Sequence, residues 1–365
     1  MKRCVFLSIL LSVVIISCAD KNDNPKIVPP TPDKKENMFD WERTRAKLLE
    51  CENMVLLYSG GTHREYQWNE DHINPYITYI DESGKEEWLF DSFLFLEIHN
   101  GLGKTFATGY TKIPADQKDW KDLVNHYFQS RYCLGALERT IDKAINRIGN
   151  PDHKRKIIIG LPEPIINQKD WGTIKDGVPL DFSKSSDRIA ACKWYIDYVR
   201  NKFNEMHYDN LELAGFYWIA EEATNTRTIL ADIADYLNVF KYSFNWIPYF
   251  KSDGYSDWKK LSFNYAYLQP NYFFNEDVPF SRLEEACTLA KKYDMDMEIE
   301  FDERILSGWG YRLEDYLKAF DNNGISQTKR LAYYQGGDAL YKLSISKENK
   351  DKQLYHQFCK FVSKR

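Results

Sequence analysis

Apolar residues follow two rhythms along this chain. Short runs of β-branched, aromatic and aliphatic residues, bounded by Gly, Pro, Asn or Ser, read as buried strands. Eight such runs fall at 54–58, 92–97, 156–161, 211–220, 244–249, 265–269, 295–301 and 330–334. Between most of them, apolar residues recur at spacings of three and four, as on one face of a helix. Trp120, Leu123, Val124, Tyr127 and Phe128 open one such stretch, which Leu137, Ile141, Ile145 and Ile148 continue to Gly149-Asn150-Pro151. Further helical patterns centre on Trp194 and Tyr198, Ile229 to Leu237, Leu313 to Phe320, and Leu354 to Val362. A leading helix is expected at 39–50, a short one at 257–261, and a helix opened by a Ser281-Arg282-Leu283-Glu284 capping box. After strand one the pattern predicts a hairpin, 76–80 and 87–89 about Asp81-Glu82-Ser83-Gly84, in place of a first helix.

Eight strands alternating with helices predict an α/β fold, a closed but irregular (β/α)8 TIM barrel. In such a barrel the active site is built at the C-terminal ends of the strands. Those ends carry Tyr58, Glu97, Glu163, Glu221 with Glu222, Trp246 with Tyr249, Gln269 with Asn271 and Tyr272, Glu298 with Glu300 and Asp302, and Tyr334 with Gln335. Acids, amides and aromatic rings suit a hydroxyl-rich ligand with apolar ring faces, so carbohydrate is the expected partner. Glycoside hydrolysis needs two carboxylates across the scissile bond. Strands four and seven face each other, which makes Glu221 the candidate acid/base and Glu300 the candidate nucleophile. Glu97, Trp218, Trp246, Tyr249, Gln269, Asn271, Tyr272, Glu298, Asp302 and Tyr334 are the candidate sugar-binding residues. Alternation puts Glu298, Glu300 and Asp302 on one face and points Glu221 and Glu222 apart. For each acid the plainer reading is a structural partner of Arg304, Arg312 or Arg330; for the aromatics it is core packing.

Other chemistries find less support. Gly101-Leu102-Gly103-Lys104-Thr105 copies the end of a phosphate loop, but Ile98 stands where its first Gly belongs. The seven His are scattered and no HExxH or GxSxG occurs, so neither a metal nor a cofactor is expected. A net charge of −5 without a basic stripe argues against nucleic acid.

The N-terminus reads as a targeting segment. A basic start, Lys2-Arg3, precedes an apolar run at 5–16 that is too short to span a bilayer. Ile15-Ile16-Ser17-Cys18 resembles a bacterial lipobox, which implies lipidation at Cys18 and contact with a membrane only through that anchor. The expected organisation is a leader at 1–17, the lipidated Cys18 and a Pro-rich tether through 38, and one barrel domain at 39–365. The protein is then an exported outer-membrane or cell-surface lipoprotein. Cys51, Cys133, Cys192, Cys287 and Cys359 are widely spaced and odd in number, which favours buried thiols over disulfides.

Several blocks, in order, carry a family resemblance: Tyr58-Ser59-Gly60-Gly61, 88–96, 211–218, Trp246-Ile247-Pro248-Tyr249-Phe250, Gln269-Pro270-Asn271-Tyr272 and 297–302. Together they resemble the bacterial family called domain of unknown function 4855, from about Met54 to the C-terminus. The resemblance implies an exported protein with a glycosidase-like barrel, and brings no assigned activity. More widely the chain is similar to the glycoside hydrolase clan with an acid/base Glu at strand four and a nucleophile Glu at strand seven. That clan usually places Asn before the strand-four Glu, where this chain has Ala220. The departure keeps a non-catalytic carbohydrate-binding barrel as the alternative.

Overall fold

The computed structural model describes residues 52–175 and 177–365. The expected leader, Cys18, the tether, the 39–50 helix and Cys51 lie outside the described residues. Eight strands form the barrel: β1 (Asn53–Tyr58), β2 (Ser92–Leu96), β3 (Arg155–Leu161), β4 (Leu211–Trp218), β5 (Ser243–Trp246), β6 (Tyr265–Leu268), β7 (Asp296–Glu300) and β8 (Leu331–Tyr334). Each pairs in parallel with its sequence neighbours, and β8 closes on β1 through Asn53↔Leu331. Every residue of β2 and β3 is buried. A parallel strand is covered on both faces, which is why 93–96 and 157–161 read as continuously apolar.

One irregularity in the barrel wall matters for the site. Between β3 and β4 the pairing runs Ile157↔Leu213 and then Ile158↔Gly215, so Ala214 is an extra residue. A bulge of this kind re-aims the side chains that follow it. At Gly215 a Cβ would stand 2.0 Å from Ser243 Oγ, so no larger residue fits where β5 closes against β4.

The connections differ from the sequence pattern in four places. A helix, α1 (Glu70–Ile77), follows β1, with Asn69 Oδ1 accepting from His72 N–H at 3.0 Å. It carries Pro75 and takes up Tyr76 and Ile77, which the pattern assigned to a strand; the hairpin is only Thr78–Ile80 with Glu86–Trp88. The long helix after β2 is two helices, α2 (Gln117–Tyr127) and α3 (Cys133–Ile148). The chain turns between them, and Cys133 has a positive φ of 47°. The expected short helix at 257–261 is a single 3-10 turn, Tyr255–Asp257. The helix Ser281–Tyr293 begins with Ser281 already inside it and Phe280 at the cap position, so the capping box does not form. The remaining outer helices include Ser185–Met206, Leu230–Val239, Gly310–Asn322 and Asn349–Ser363.

Cys133, Cys192, Cys287 and Cys359 are buried free thiols. Among the described residues no helix is long and apolar enough to cross a membrane.

Candidate active site

At the C-terminal ends of the strands the barrel opens into a cavity of about 430 Å³. Its acids are Glu221, Glu298, Glu300, Asp302 and Glu303, and its aromatic walls are Tyr58, Tyr110, Tyr217, Phe274 and Tyr334. A larger hollow, about 650 Å³, lies around Asp91, Arg155 and Asp296 at the N-terminal ends. That end of this fold serves stability and not chemistry, so size does not identify the site.

Glu300 ends β7 and is 1% exposed. Its Oε2 accepts from Asn271 N–H at 2.6 Å and from Tyr316 O–H at 2.6 Å, and its Oε1 from Asn271 Nδ2 at 3.2 Å. Asn271 reaches it with both backbone and side chain because it follows Pro270 in the left-handed region, at φ 48°, a conformation that Asn tolerates better than most residues. Burial pushes the Glu300 carboxyl up to about 7, against these three donors, which favour its charge.

Two amides join Glu300 to Glu221. Phe250 N–H donates to Asn271 Oδ1 at 2.8 Å, which turns Asn271 Nδ2 toward Glu300 and toward Gln269 Oε1 at 3.0 Å. Gln269 Nε2 then donates to Ile247 O at 2.9 Å and to Glu221 Oε1 at 3.0 Å. The backbone at Phe250 and Ile247 therefore sets both amides, and each carboxylate receives an N–H. Burial raises the Glu221 carboxyl above its ordinary range, with the Gln269 bond opposing. Glu298 lies one alternation deeper on β7, 2% exposed, with no hydrogen-bond partner for Oε1. Burial, then the charges of Glu300 and Glu221, push it well above the carboxylate range.

A second cavity of about 270 Å³ adjoins the first, and Glu221 and Tyr110 line both. Its far wall is Glu163, Glu222 and Tyr249. Glu163, 2% exposed, accepts from Thr108 N–H at 2.7 Å through Oε2, while Oε1 has no partner. With the Glu163 N–H bond to Phe106 O at 2.8 Å, this ties the loop bearing Tyr110 to the end of β3. Burial raises the Glu163 carboxyl as well. Tyr249 O–H donates to Glu222 Oε2 at 2.8 Å, and Glu222 does not line the main cavity.

Glu221, Gln269, Asn271, Glu298, Glu300, Asp302 and Tyr334 thus share one cavity. The other sequence candidates are elsewhere. Glu97 is fully buried under Arg64, whose Nε and Nη2 meet its two oxygens at 2.7 Å each, and Gly61 and Ile98 N–H fill further sites. It is a structural clamp that presents Arg64 to the cavity. Trp218 packs on Phe244 at 6.1 Å, behind the barrel wall, while its neighbour Tyr217 faces the cavity. Trp246 is buried, stacked on Phe263 at 4.8 Å, with its N–H on Ala220 O. Tyr272 is 3% exposed, lies 3.7 Å from the Arg312 guanidinium and donates to Asp315. Asp302 reaches the cavity but is held by Arg304 at 2.7 to 3.0 Å. Glu300 is held by an amide and a phenol and not by an arginine.

Sequence reasoning missed Tyr217, Tyr110, Phe274, Arg64 and Tyr316. For Tyr217 the signal was Gly215 two residues before it, the small residue where β4 and β5 close together. Ser59 Oγ lies 2.8 Å from His126 Nε2, a contact with the look of a nucleophile pair, but Ser59 is buried and lines neither cavity. Among the described residues no group of His, Cys, Asp or Glu is arranged to hold a metal ion.

Eight parallel strands closed on themselves, with a polar bowl at their C-terminal ends, define a (β/α)8 barrel protein. Within that class the chain belongs to the family described as Domain of unknown function (DUF4855), whose profile matches residues 53–360. No curated protein matches the sequence. Among solved structures, a mutant tryptophan synthase alpha-subunit from the hyperthermophile Pyrococcus furiosus is similar at 6% identity, over 85% of this chain and 97% of its own, with a TM-score of 0.37. The tryptophan synthase subunit alpha of Legionella pneumophila is similar at 7% identity, over 89% and 98%, with 0.39. Beta-methylaspartase from Clostridium tetanomorphum is similar at 11%, over 90% and 63%, with 0.41.

Proposed function

We propose that this barrel is a glycoside hydrolase acting on a polysaccharide or glycan, with Glu221 as acid/base and Glu300 as nucleophile. One observation carries the reading: carboxyl groups from β7 and from the loop after β4 line one aromatic-walled cavity and are joined through Gln269 and Asn271. Glu221 borders both cavities, so the sugar that is attacked occupies the larger and the leaving group the smaller. Glu300 attacks the anomeric carbon while the bond to the leaving oxygen breaks and Glu221 gives that oxygen its proton. Water then attacks the glycosyl–Glu300 ester, Glu221 takes the water's proton, and Glu300 departs as the carboxylate. Tyr316 and Asn271 hold Glu300 through both steps.

On the reading of Cys18 as a lipid anchor, this chemistry takes place outside the cell, on a barrel tethered to the membrane. The second reading is a binding barrel without turnover, favoured by Ala220 standing where the clan has Asn. Turnover on a glycan panel separates the two: hydrolysis abolished by Glu221→Gln and by Glu300→Gln supports the enzyme. Full activity in both variants removes it, and binding without hydrolysis by the unaltered protein leaves the second reading standing.

A further inference from the structure

We propose that the sugar taken into the main cavity carries a free amine, making the ligand a hexosamine-type cation, and that Glu298 selects it. This rests on the reading of the cavity as a glycan site and names the substrate class within it. The cavity wall holds five acids, Glu221, Glu298, Glu300, Asp302 and Glu303, against the guanidinium of Arg64 and the imidazole of His99, which burial keeps from charging. Arg64 is already committed to Glu97 in two bonds. Asp302 has Arg304, and Glu303 accepts from the N–H groups of Gly337 and Asp338 at 3.0 and 3.1 Å. Glu221 and Glu300 have the amides. Glu298 alone of the five combines a place on the cavity wall with a buried oxygen that has no hydrogen-bond partner.

Such an oxygen needs a donor, since a buried polar group without one is costly. A sugar hydroxyl brings one hydrogen; an ammonium brings three and a charge. Only the ammonium also offsets the mutual repulsion of Glu298, Glu300 and Glu221, because it lets more than one of them ionise together. The rings agree with this choice. Tyr334 meets Tyr58 edge-on at 5.7 Å and Phe274 at 5.6 Å, and all three line the cavity, where ring faces attract a cation. A metal ion would need three convergent ligands, which the described residues do not offer. A uronic acid would bring a further anion to a wall that already has too many.

The test is calorimetric titration of the full-length protein, in slightly acidic buffer, with four tetramers: β-1,4-linked glucosamine, its N-acetylated counterpart, cellotetraose and tetragalacturonate. The expected result is that the amine tetramer binds at least about tenfold more tightly than its acetylated counterpart. That preference shrinks at high salt and is lost in Glu298→Gln. Salt dependence in the unaltered protein keeps the test decisive if the variant does not fold. Equal or tighter binding of the acetylated, neutral or acidic tetramer overturns the inference, as does an amine preference that Glu298→Gln leaves intact. If a neutral glycan is hydrolysed in a Glu221- and Glu300-dependent way while the amine tetramer is ignored, the amine is wrong and the hydrolase reading stands. If no glycan of any class is bound or cleaved, both fall.

Discussion

The strand-two rim and the strand-seven rim each bury a glutamate almost completely, Glu97 at 0% and Glu298 at 2% exposure, yet they treat it in opposite ways. Glu97 receives a two-point arginine clamp and backbone N–H groups. Glu298 is packed beside two more acids and left with a bare oxygen. Burial alone therefore does not set an acid's surroundings; the donors differ, an arginine for Glu97, an amide and a phenol for Glu300, and none for Glu298 Oε1. A carboxylate clamped by an arginine stabilises the wall around it, whereas a buried oxygen without a donor costs the fold stability.

The contrast can be broken at several points. Glu300→Gln, on the strand-seven side, should lower kcat/KM on a cleaved glycan on the order of 10³-fold while leaving the melting temperature close to the parent value; an active variant would dissolve the difference between the rims. On the strand-two side, Arg64→Met strands the Glu97 charge in the wall, at a cost of about 3–5 kcal/mol in urea unfolding. Glu298→Gln should be neutral or stabilising in the same assay, and equal losses in the two variants would refute the comparison.

Stability against pH sharpens it further. Glu221, Glu298, Glu300 and Glu163 all have folded-state values above the ordinary one, so the folded protein binds protons more tightly than the unfolded chain. Their stabilisation is complete below about 4.5 and lost as pH rises through the folded values, for Glu300 between about 4.5 and about 7. Calorimetry should show a lower melting temperature at pH 8 than at pH 5, with a smaller fall in Glu298→Gln. A flat or rising curve would contradict it. The smallest effect is expected from Tyr316→Phe. Its hydroxyl favours the charged form of Glu300, so removing it should move the limb of the kcat/KM–pH profile near 7 upward by about one unit. An unmoved limb would detach that limb from Glu300.

The barrel was legible because buried parallel strands carry apolar runs, 93–96 in β2 and 157–161 in β3, and both strands are buried at every position. Short elements were not, because local signals compete there. Pro75 spoils the pattern of α1, and Tyr76 and Ile77 look like the start of the strand that follows. Around the site, the chain says which residues end a strand but not which side they take. The extra residue at Ala214 resets the alternation on β4, so Tyr217 and not Trp218 reaches the cavity. Trp246 and Tyr272 fell to the same ambiguity, since a ring at a strand end serves packing as readily as binding. The acids Glu298 and Glu300 were easier to read, because β7 carries no such insertion in its pairing with β8.

The amide pair has a consequence for the design of ligands for this cavity. Both hydrogens of Gln269 Nε2 already have acceptors, Ile247 O and Glu221 Oε1. A compound that draws Glu221 aside leaves one of those hydrogens without its acceptor. Scaffolds with a carbonyl or ring nitrogen opposite Gln269 would heal that defect, and those relying on a basic nitrogen alone would not.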